Sequence, residues 1–310
     1  LPKPKAGSAY KGGINMGGSI LVTGGRGQLA QSLAKLGGQR VIVVGRPEFD
    51  FDRPATIAAT IDRYKPSLVV NAAAWTAVDL AESEVDGATR ANETGPAELA
   101  RACARHDIPL IHVSTDYVYA GDKGTPYTET DPISPQTVYG HTKAAGEQAV
   151  LAENPRTIVL RTAWVYSPHG KNFVRTMLNA GAKNPQLKVV GDQSGNPTSS
   201  DDLAEGILAI IEKLQQGWQD GYAGVYHATG SGEATWHDLA VTALQEAAKA
   251  GQPMPEVTAI RTQDWPTPAK RPKDSRLDGA KLEKVFGVKL PHWQDSVART
   301  VKEIMVPQKP

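Results

Sequence analysis

An α/β fold is predicted: a doubly wound parallel sheet with helices on both faces and a smaller substrate-binding lobe on the C-terminal side. Three observations predict it. Short apolar runs, "ILVT" at 20–23, "VIVV" at 41–44, "SLVVNAA" at 67–73, "LIHVST" at 110–115 and "TIVLRT" at 157–162, are rich in Val and Ile. Runs that are apolar on both faces suit strands covered by helices on each side. Helix-like stretches separate them at 27–37, 55–65, 81–106 and 138–149, as crossovers between parallel strands require. The first run leads into the glycine turn "GGRGQLA" at 24–30, which opens a helix.

The elements follow in order. Gly24, Gly27 and Ala30 occupy G-x-x-G-x-x-A positions after the first strand. Glycine there lets the main chain approach a pyrophosphate, and the amides at the helix start, including those of Gln28 and Leu29, meet its charge. This is a Rossmann-type turn and predicts a dinucleotide. The second strand ends at Gly45 and Arg46 with no carboxylate directly after it. Arg26 and Arg46 are placed to embrace a 2′-phosphate or to remain solvated, which favours NADPH. Asp50, Phe51 and Asp52 follow closely enough to meet an adenine or a ribose, so NADH use stays open.

The later region changes character. "LKVVGD" at 187–192 is a further strand candidate, and Ser199 or Ser200 caps a helix that ends at Gly217. "GVYHATG" at 224–230 reads as a strand, and Thr235 with Asp238 reads as a capping box. The proline-punctuated segment 263–278 suits an extended pocket wall, and a short helix begins near Gly279. The expected division is a leader or expression remnant over 1–18, a mainly NADP(H)-binding domain over 19–165, a mainly substrate-binding lobe over 166–306 interleaved with the first, and a tail over 307–310.

The whole chain has 310 residues, 34 basic and 33 acidic, with a net charge of +1. That balance points to no nucleic-acid partner and no membrane electrostatics. Cys103 is the one cysteine, which excludes an intramolecular disulfide; it is expected as a small core residue. No run has the length of a membrane span and no secretory signal is evident, so a cytoplasmic location is expected.

Tyr139 and Lys143 lie four apart in "VYGHTKAAGEQA", on one side of a helix. An ammonium beside a phenol is expected to lower the tyrosine pKa, and the phenol can donate its proton to a carbonyl oxygen during reduction. Thr115, ending the strand in "HVSTDYVYAG", supplies a hydroxyl for the same oxygen, while Ser114 points to the opposite face if the strand persists. The carboxyl end of a central strand is the ligand side of an open α/β sheet.

On these residues, and on "NAAAWTAVDLAE" at 71–82, Asn92, "STDYVYAG" at 114–121, "SPQTVYGHTKAAGE" at 134–147, "RTAWVYSPHGKNFV" at 161–174, "VVGDQSGNPTSSDDLA" and "RPKDSRLD", the chain resembles the extended short-chain dehydrogenase/reductases. Within them it is most similar to the dTDP-4-dehydrorhamnose reductases, over Ile20 to about Val306. The resemblance implies Thr115, Tyr139 and Lys143 as the catalytic set, and Asn71, Ala72 and Ala73 bordering the nicotinamide. It implies a dTDP-linked 4-keto-6-deoxy sugar, dTDP-6-deoxy-L-lyxo-4-hexulose, reduced to dTDP-L-rhamnose for cell-wall polysaccharide. Trp164 and Asn172 would meet the sugar or its phosphates, with Trp75 and Asp116 nearby. In "AKRPKDSRLD", Arg271 and Arg276 are the first choices for the diphosphate. Some relatives dimerise around a metal held by glutamates, one just after the glycine turn; here that place reads Gln31-Ser32, so that metal-centred dimer is not expected, hydride transfer is expected to need no metal, and a monomer or another homodimer is expected. Competing readings are another nucleotide-sugar 4-ketoreductase, a reductase–epimerase, or a silent NADP-binding regulatory subunit.

Overall fold

The computed structural model describes residues 18–306. The expected leader (apart from residue 18) and the expected tail lie outside the described residues.

Six parallel strands make the central sheet: β1 (Ile20–Thr23), β2 (Val41–Val44), β3 (Leu68–Asn71), β4 (Leu110–Thr115), β5 (Thr157–Thr162), and a late strand at Gly224–His227. Their spatial order is late strand, β5, β4, β3, β1, β2. The chain leaves β1 toward β2 and then crosses back to β3, so a crevice opens at the carboxyl ends of β1 and β3.

Strand side chains alternate between two cores, as a period of two demands. Ile20, Val22, Leu68 and Val70 face one layer, packed against Leu29 and Leu33 of α1 (Gln28–Gly37). Leu21 and Val69 face the other, packed against Ile57 and Ile61 of α2 (Ala55–Tyr64). Cys103 is buried in that second layer.

The stretch 81–106, helix-like in sequence, is broken in the fold. Short helices α3 (Val78–Ala81) and α4 (Val85–Thr89) precede a π turn at Arg90–Thr94, and α5 (Gly95–Arg105) follows. Pro96 has no N–H to give to the Asn92 carbonyl four residues back, so the ordinary ladder cannot pass through that turn.

Helix α6 (Val138–Glu153) packs on this turn. Thr137 caps it, its side chain accepting from Gly140 N at 3.0 Å. Gly146 sits directly over the Asn92 carbonyl, where an added Cβ would clash with the oxygen. The Asn92 side chain holds the facing loop, accepting from Trp75 N at 2.8 Å and donating to Thr142 Oγ1 at 3.1 Å.

The rest of the chain runs β6 (Val165–Tyr166), α7 (Phe173–Gly181), β7 (Gln186–Val190), β8 (Ser194–Gly195), β9 (Thr198–Ser199), α8 (Ser200–Gln215), β10 (the late strand Gly224–His227), β11 (Ala234–Thr235), α9 (Trp236–Lys249), β12 (Glu256–Ile260), α10 (Ala280–Phe286) and α11 (Trp293–Met305). A separate core forms from Val174 and Leu178 of α7, Leu239 and Leu244 of α9, and Trp293 and Val297 of α11. Between its pieces, α8 and β10 return to the first sheet. Ser199 precedes α8 without a side-chain cap bond, and the Ser200 hydroxyl instead meets Ser32 of α1 at 2.8 Å. The Thr235–Asp238 capping box does form at α9.

Candidate active site

A cleft of about 1990 Å³ runs between the sheet's carboxyl edge and the second core. Gly24 turns the chain out of β1 with φ +109°, a region costly for residues with a Cβ. A Cβ there would lie 2.9 Å from the Ala72 carbonyl, so glycine alone lets the turn close on the β3 loop. Gly27 starts α1 with no side-chain cap, leaving the first-turn amides of Gln28 and Leu29 to the cleft, which both residues line. Three buried polar atoms that lack a partner, Gln28 Oε1, Asp116 Oδ2 and Thr162 Oγ1, also belong to cleft residues. Unpaired buried polar atoms and an uncapped helix start on one wall are groups that a dinucleotide and a polar substrate would satisfy. The donor set therefore fits the group.

At one end, Arg26, Arg46, Asp50, Phe51 and Asp52 line the cleft. Arg46 donates to Asp50 at 3.0 Å and to Asp52 at 2.6 Å. Arg90, which sequence reasoning missed, holds the other oxygen of Asp52 at 2.7 Å and keeps its pKa below the usual carboxylate range. Its only sequence signal was its place in a helix-like stretch, which says nothing of the π turn that aims it.

Beyond the glycine turn, Thr115, Tyr139 and Lys143 converge on the cleft. Thr115 Oγ1 donates to Asp116 Oδ1 at 2.9 Å and accepts from Tyr117 N at 3.2 Å. Ser114 turns away and donates to Glu147 at 2.5 Å. The expected lowering of the Tyr139 pKa is corrected: burial pushes the phenol well above its ordinary value, and the neighbouring Thr115 hydroxyl only partly opposes this. Lys143 donates instead to the Val113 carbonyl at 2.6 Å. Burial lowers the Lys143 ammonium to about 8, with Glu147 opposing. Burial also raises Asp116 to about 6, offset in part by the Thr115 hydroxyl that donates to its Oδ1.

Ala72, Ala73, Trp75, Asp116, Trp164, Asn172 and Arg271 also line the cleft. Two residues expected in the site are not on its wall. Asn71 is 1% exposed and is turned inward, where its amide bonds to Thr23 and His112. Arg276 is held away by Asp274 at 2.7 Å and Glu233 at 2.5 Å. Arg271, five residues earlier, reaches the cleft because Asp79 of α3 pairs with it at 2.5 Å. Asn172 faces the cleft but spends its side chain locally, capping α7 by accepting from Arg175 N at 3.1 Å and donating to the Ser167 carbonyl at 2.8 Å.

Trp164 stacks on Trp236 with ring centroids 3.6 Å apart and planes within 6°, and Phe173 tilts against the same ring at 4.7 Å. Gln193 accepts from Trp236 Nε1 at 3.1 Å. Trp236 and Phe173 were missed because each reads locally as the first residue of a capped helix. Among the described residues no cluster of three or more His, Cys, Asp or Glu is placed to hold a metal. None of the described helices is long and apolar enough to cross a membrane.

A glycine phosphate turn at the switch point of a parallel sheet, with threonine, tyrosine and lysine across the same cleft, defines an oxidoreductase of the short-chain dehydrogenase/reductase fold that works with a nicotinamide dinucleotide. Residues 18–306 match the family model described as the RmlD substrate binding domain. A dTDP-4-dehydrorhamnose reductase of Aggregatibacter actinomycetemcomitans is 43% identical over 281 residues, 89% of this chain and 95% of the relative. The solved dTDP-4-dehydrorhamnose reductase of Clostridium acetobutylicum superposes with a TM-score of 0.84 at 37% identity, covering 92% of this chain and 98% of that one. That of Bacillus anthracis, in complex with NADP, has a TM-score of 0.83 at 29% identity, covering 93% of this chain and all (100%) of that one. The chain belongs to the dTDP-4-dehydrorhamnose reductase family.

Proposed function

We propose that the protein reduces the C4 ketone of dTDP-6-deoxy-L-lyxo-4-hexulose to give dTDP-L-rhamnose, with NADPH as the preferred reductant. The observation that carries this reading is the convergence of Thr115, Tyr139 and Lys143 on the wall of a cleft that begins at the glycine turn. Two hydroxyls that line the same cleft can both reach one ketone oxygen. The names and the NADP complex of the relatives support the choice of substrate and cofactor.

Gly24, Gly27, Gln28 and Leu29 would hold the cofactor diphosphate. Arg26 and Arg46 would hold the 2′-phosphate, in competition with Asp50 and Asp52. Ala72 and Ala73 border the ring end, and Lys143 lies within the same wall. When bound, the reduced nicotinamide supplies the hydride. Tyr139 keeps its proton at neutral pH, because burial disfavours phenolate, and delivers it to the oxygen as negative charge develops there. Thr115 holds that oxygen in line. The Trp164 indole, stacked on Trp236, borders the sugar end of the cleft, and Arg271 is the cation for the substrate diphosphate. The Rossmann-side boundary near 165 and the lobe boundary near 306 belong to the same reading, with the cleft between them.

The test supplies the deoxy-hexulose nucleotide with NADPH or NADH and identifies the sugar product by NMR. Formation of dTDP-L-rhamnose with a higher kcat/KM for NADPH is expected. A product with the other C4 configuration, or no cofactor oxidation, refutes the assignment.

A further inference from the structure

A buried hydrogen-bond chain runs beneath the cleft from the end of β1 to the catalytic helix. Thr23 Oγ1 donates to Asn71 Oδ1 at 2.6 Å. Asn71 Nδ2 meets His112 Nδ1 at 3.0 Å, and His112 Nε2 faces Lys143 Nζ at 3.5 Å. All four residues are at most 2% exposed, so bulk water is not an alternative partner.

The orientation of the Asn71 amide is set by a donor that cannot change. The Ala73 backbone N–H points at Asn71 Oδ1 at 3.3 Å and at Thr23 Oγ1 at 3.2 Å. A reversed amide would set its NH2 group against that N–H. Asn71 therefore offers its NH2 to the imidazole, and His112 Nδ1 accepts. Burial, with the neighbouring Lys143 charge, keeps the ring neutral by holding its pKa well below 6.5. A neutral imidazole whose Nδ1 accepts carries its one proton on Nε2.

We infer that Thr23, Asn71 and His112 form a tautomer lock that points the His112 Nε2–H at Lys143. An N–H facing an ammonium gives it no acceptor; facing a neutral amine, it donates to the lone pair. The lock therefore favours the amine form and leaves the Val113 carbonyl as the protein acceptor that anchors Lys143. The other titratable groups around Lys143 are Tyr139 one turn back and Glu147 one turn on. Glu147 is already engaged by Arg161 of β5 at 2.5 Å. The lock acts in the same direction as the desolvation that brings Lys143 to about 8. Asn71 and His112 are thus positioning residues that act through Lys143. Only the kinetic consequence rests on the ketone-reductase reading; the tautomer does not.

The test uses the intact protein with 15N-labelled histidine, the His112 signals being assigned by their loss in His112→Gln. Two-bond 15N–1H spectra should show Nε2 protonated and Nδ1 bare from about pH 6 to about pH 9. An Nδ1-protonated ring or an imidazolium in that window overturns the inference, with no substrate involved. The second arm is Asn71→Asp, whose carboxylate can only accept and so turns the ring to the Nδ1–H form. Lys143 then gains an accepting Nε2. Its 13Cε titration and the high-pH limb of kcat/KM should both move upward, by about tenfold in proton affinity. Asn71→Ala adds no charge and should move both in the same direction by less. A rate loss at every pH with both titrations unmoved gives the chain a structural role only and also overturns the inference.

Discussion

Burial pulls the three ionisable side chains at the reacting position toward their neutral forms, with different consequences. Tyr139 becomes a firmly protonated donor, Lys143 a cation that loses its charge near pH 8, and Asp116 a carboxyl that ionises near pH 6. Tyr139→Phe removes the donor and should lower kcat by roughly 10²–10⁴-fold with little change in KM; near-full turnover under single-turnover conditions would refute the role. For Asp116, the folded pKa of about 6 lies above the ordinary 3.8. A raised carboxyl pKa favours the fold below the ordinary value, and this contribution is lost as pH rises through the folded one. Asp116→Asn never ionises. Its stability relative to wild type should therefore grow by roughly 2–3 kcal/mol between about pH 4 and about pH 8, read from urea unfolding at each pH. A constant difference across that range would mean that Asp116 does not carry the raised pKa.

At the scale of elements, the placement of Tyr139 and Lys143 in the cleft depends on how closely α6 lies on the π turn. Pro96 frees the Asn92 carbonyl from the helical ladder, and Gly146 lets α6 descend onto it. Gly146→Ala is expected to push the two apart and cost about 1–3 kcal/mol. Turnover should fall as well, because Tyr139 and Lys143 ride on α6. Unchanged unfolding midpoint and turnover would show that the contact has slack. The arginines of "AKRPKDSRLD" illustrate what local sequence leaves open at this scale. Both read alike as phosphate ligands, yet Arg271 meets Asp79 of α3 on the cleft, whereas Arg276 is taken up by Asp274 and Glu233. Nothing within the segment encodes which carboxylate the fold will bring to each. The helical pattern over 81–106 misled for a related reason: periodicity records which face is buried, and a π turn shifts that face by one residue.

For the whole molecule, the cleft separates the sheet with its two layers from the core of α7, α9 and α11, and a ligand bridging it should stabilise both sides. At one hundred times its dissociation constant, a cofactor adds about 2.7 kcal/mol, which thermal unfolding will register. Arg46→Ala should reduce the stabilisation given by NADPH while leaving that given by NADH almost intact. Equal losses with both cofactors would remove Arg46 from 2′-phosphate recognition and leave Arg26 as the candidate.

The parallel strands, the glycine turn and the shared helix face of Tyr139 and Lys143 were legible in the sequence because each depends on local rules. Buried parallel strands are apolar on both faces, a phosphate turn needs glycine where φ is positive, and residues four apart share a helix face. The tertiary structure alone decided what those groups touch. It turned Asn71 from the cofactor wall into the buried chain to His112, paired Trp164 with Trp236 across more than seventy residues, and brought Arg90 beside Asp52. The physical reason is that pKa, tautomer and ion-pair choice depend on desolvation and on neighbours distant in sequence, and both exist only once the chain has packed.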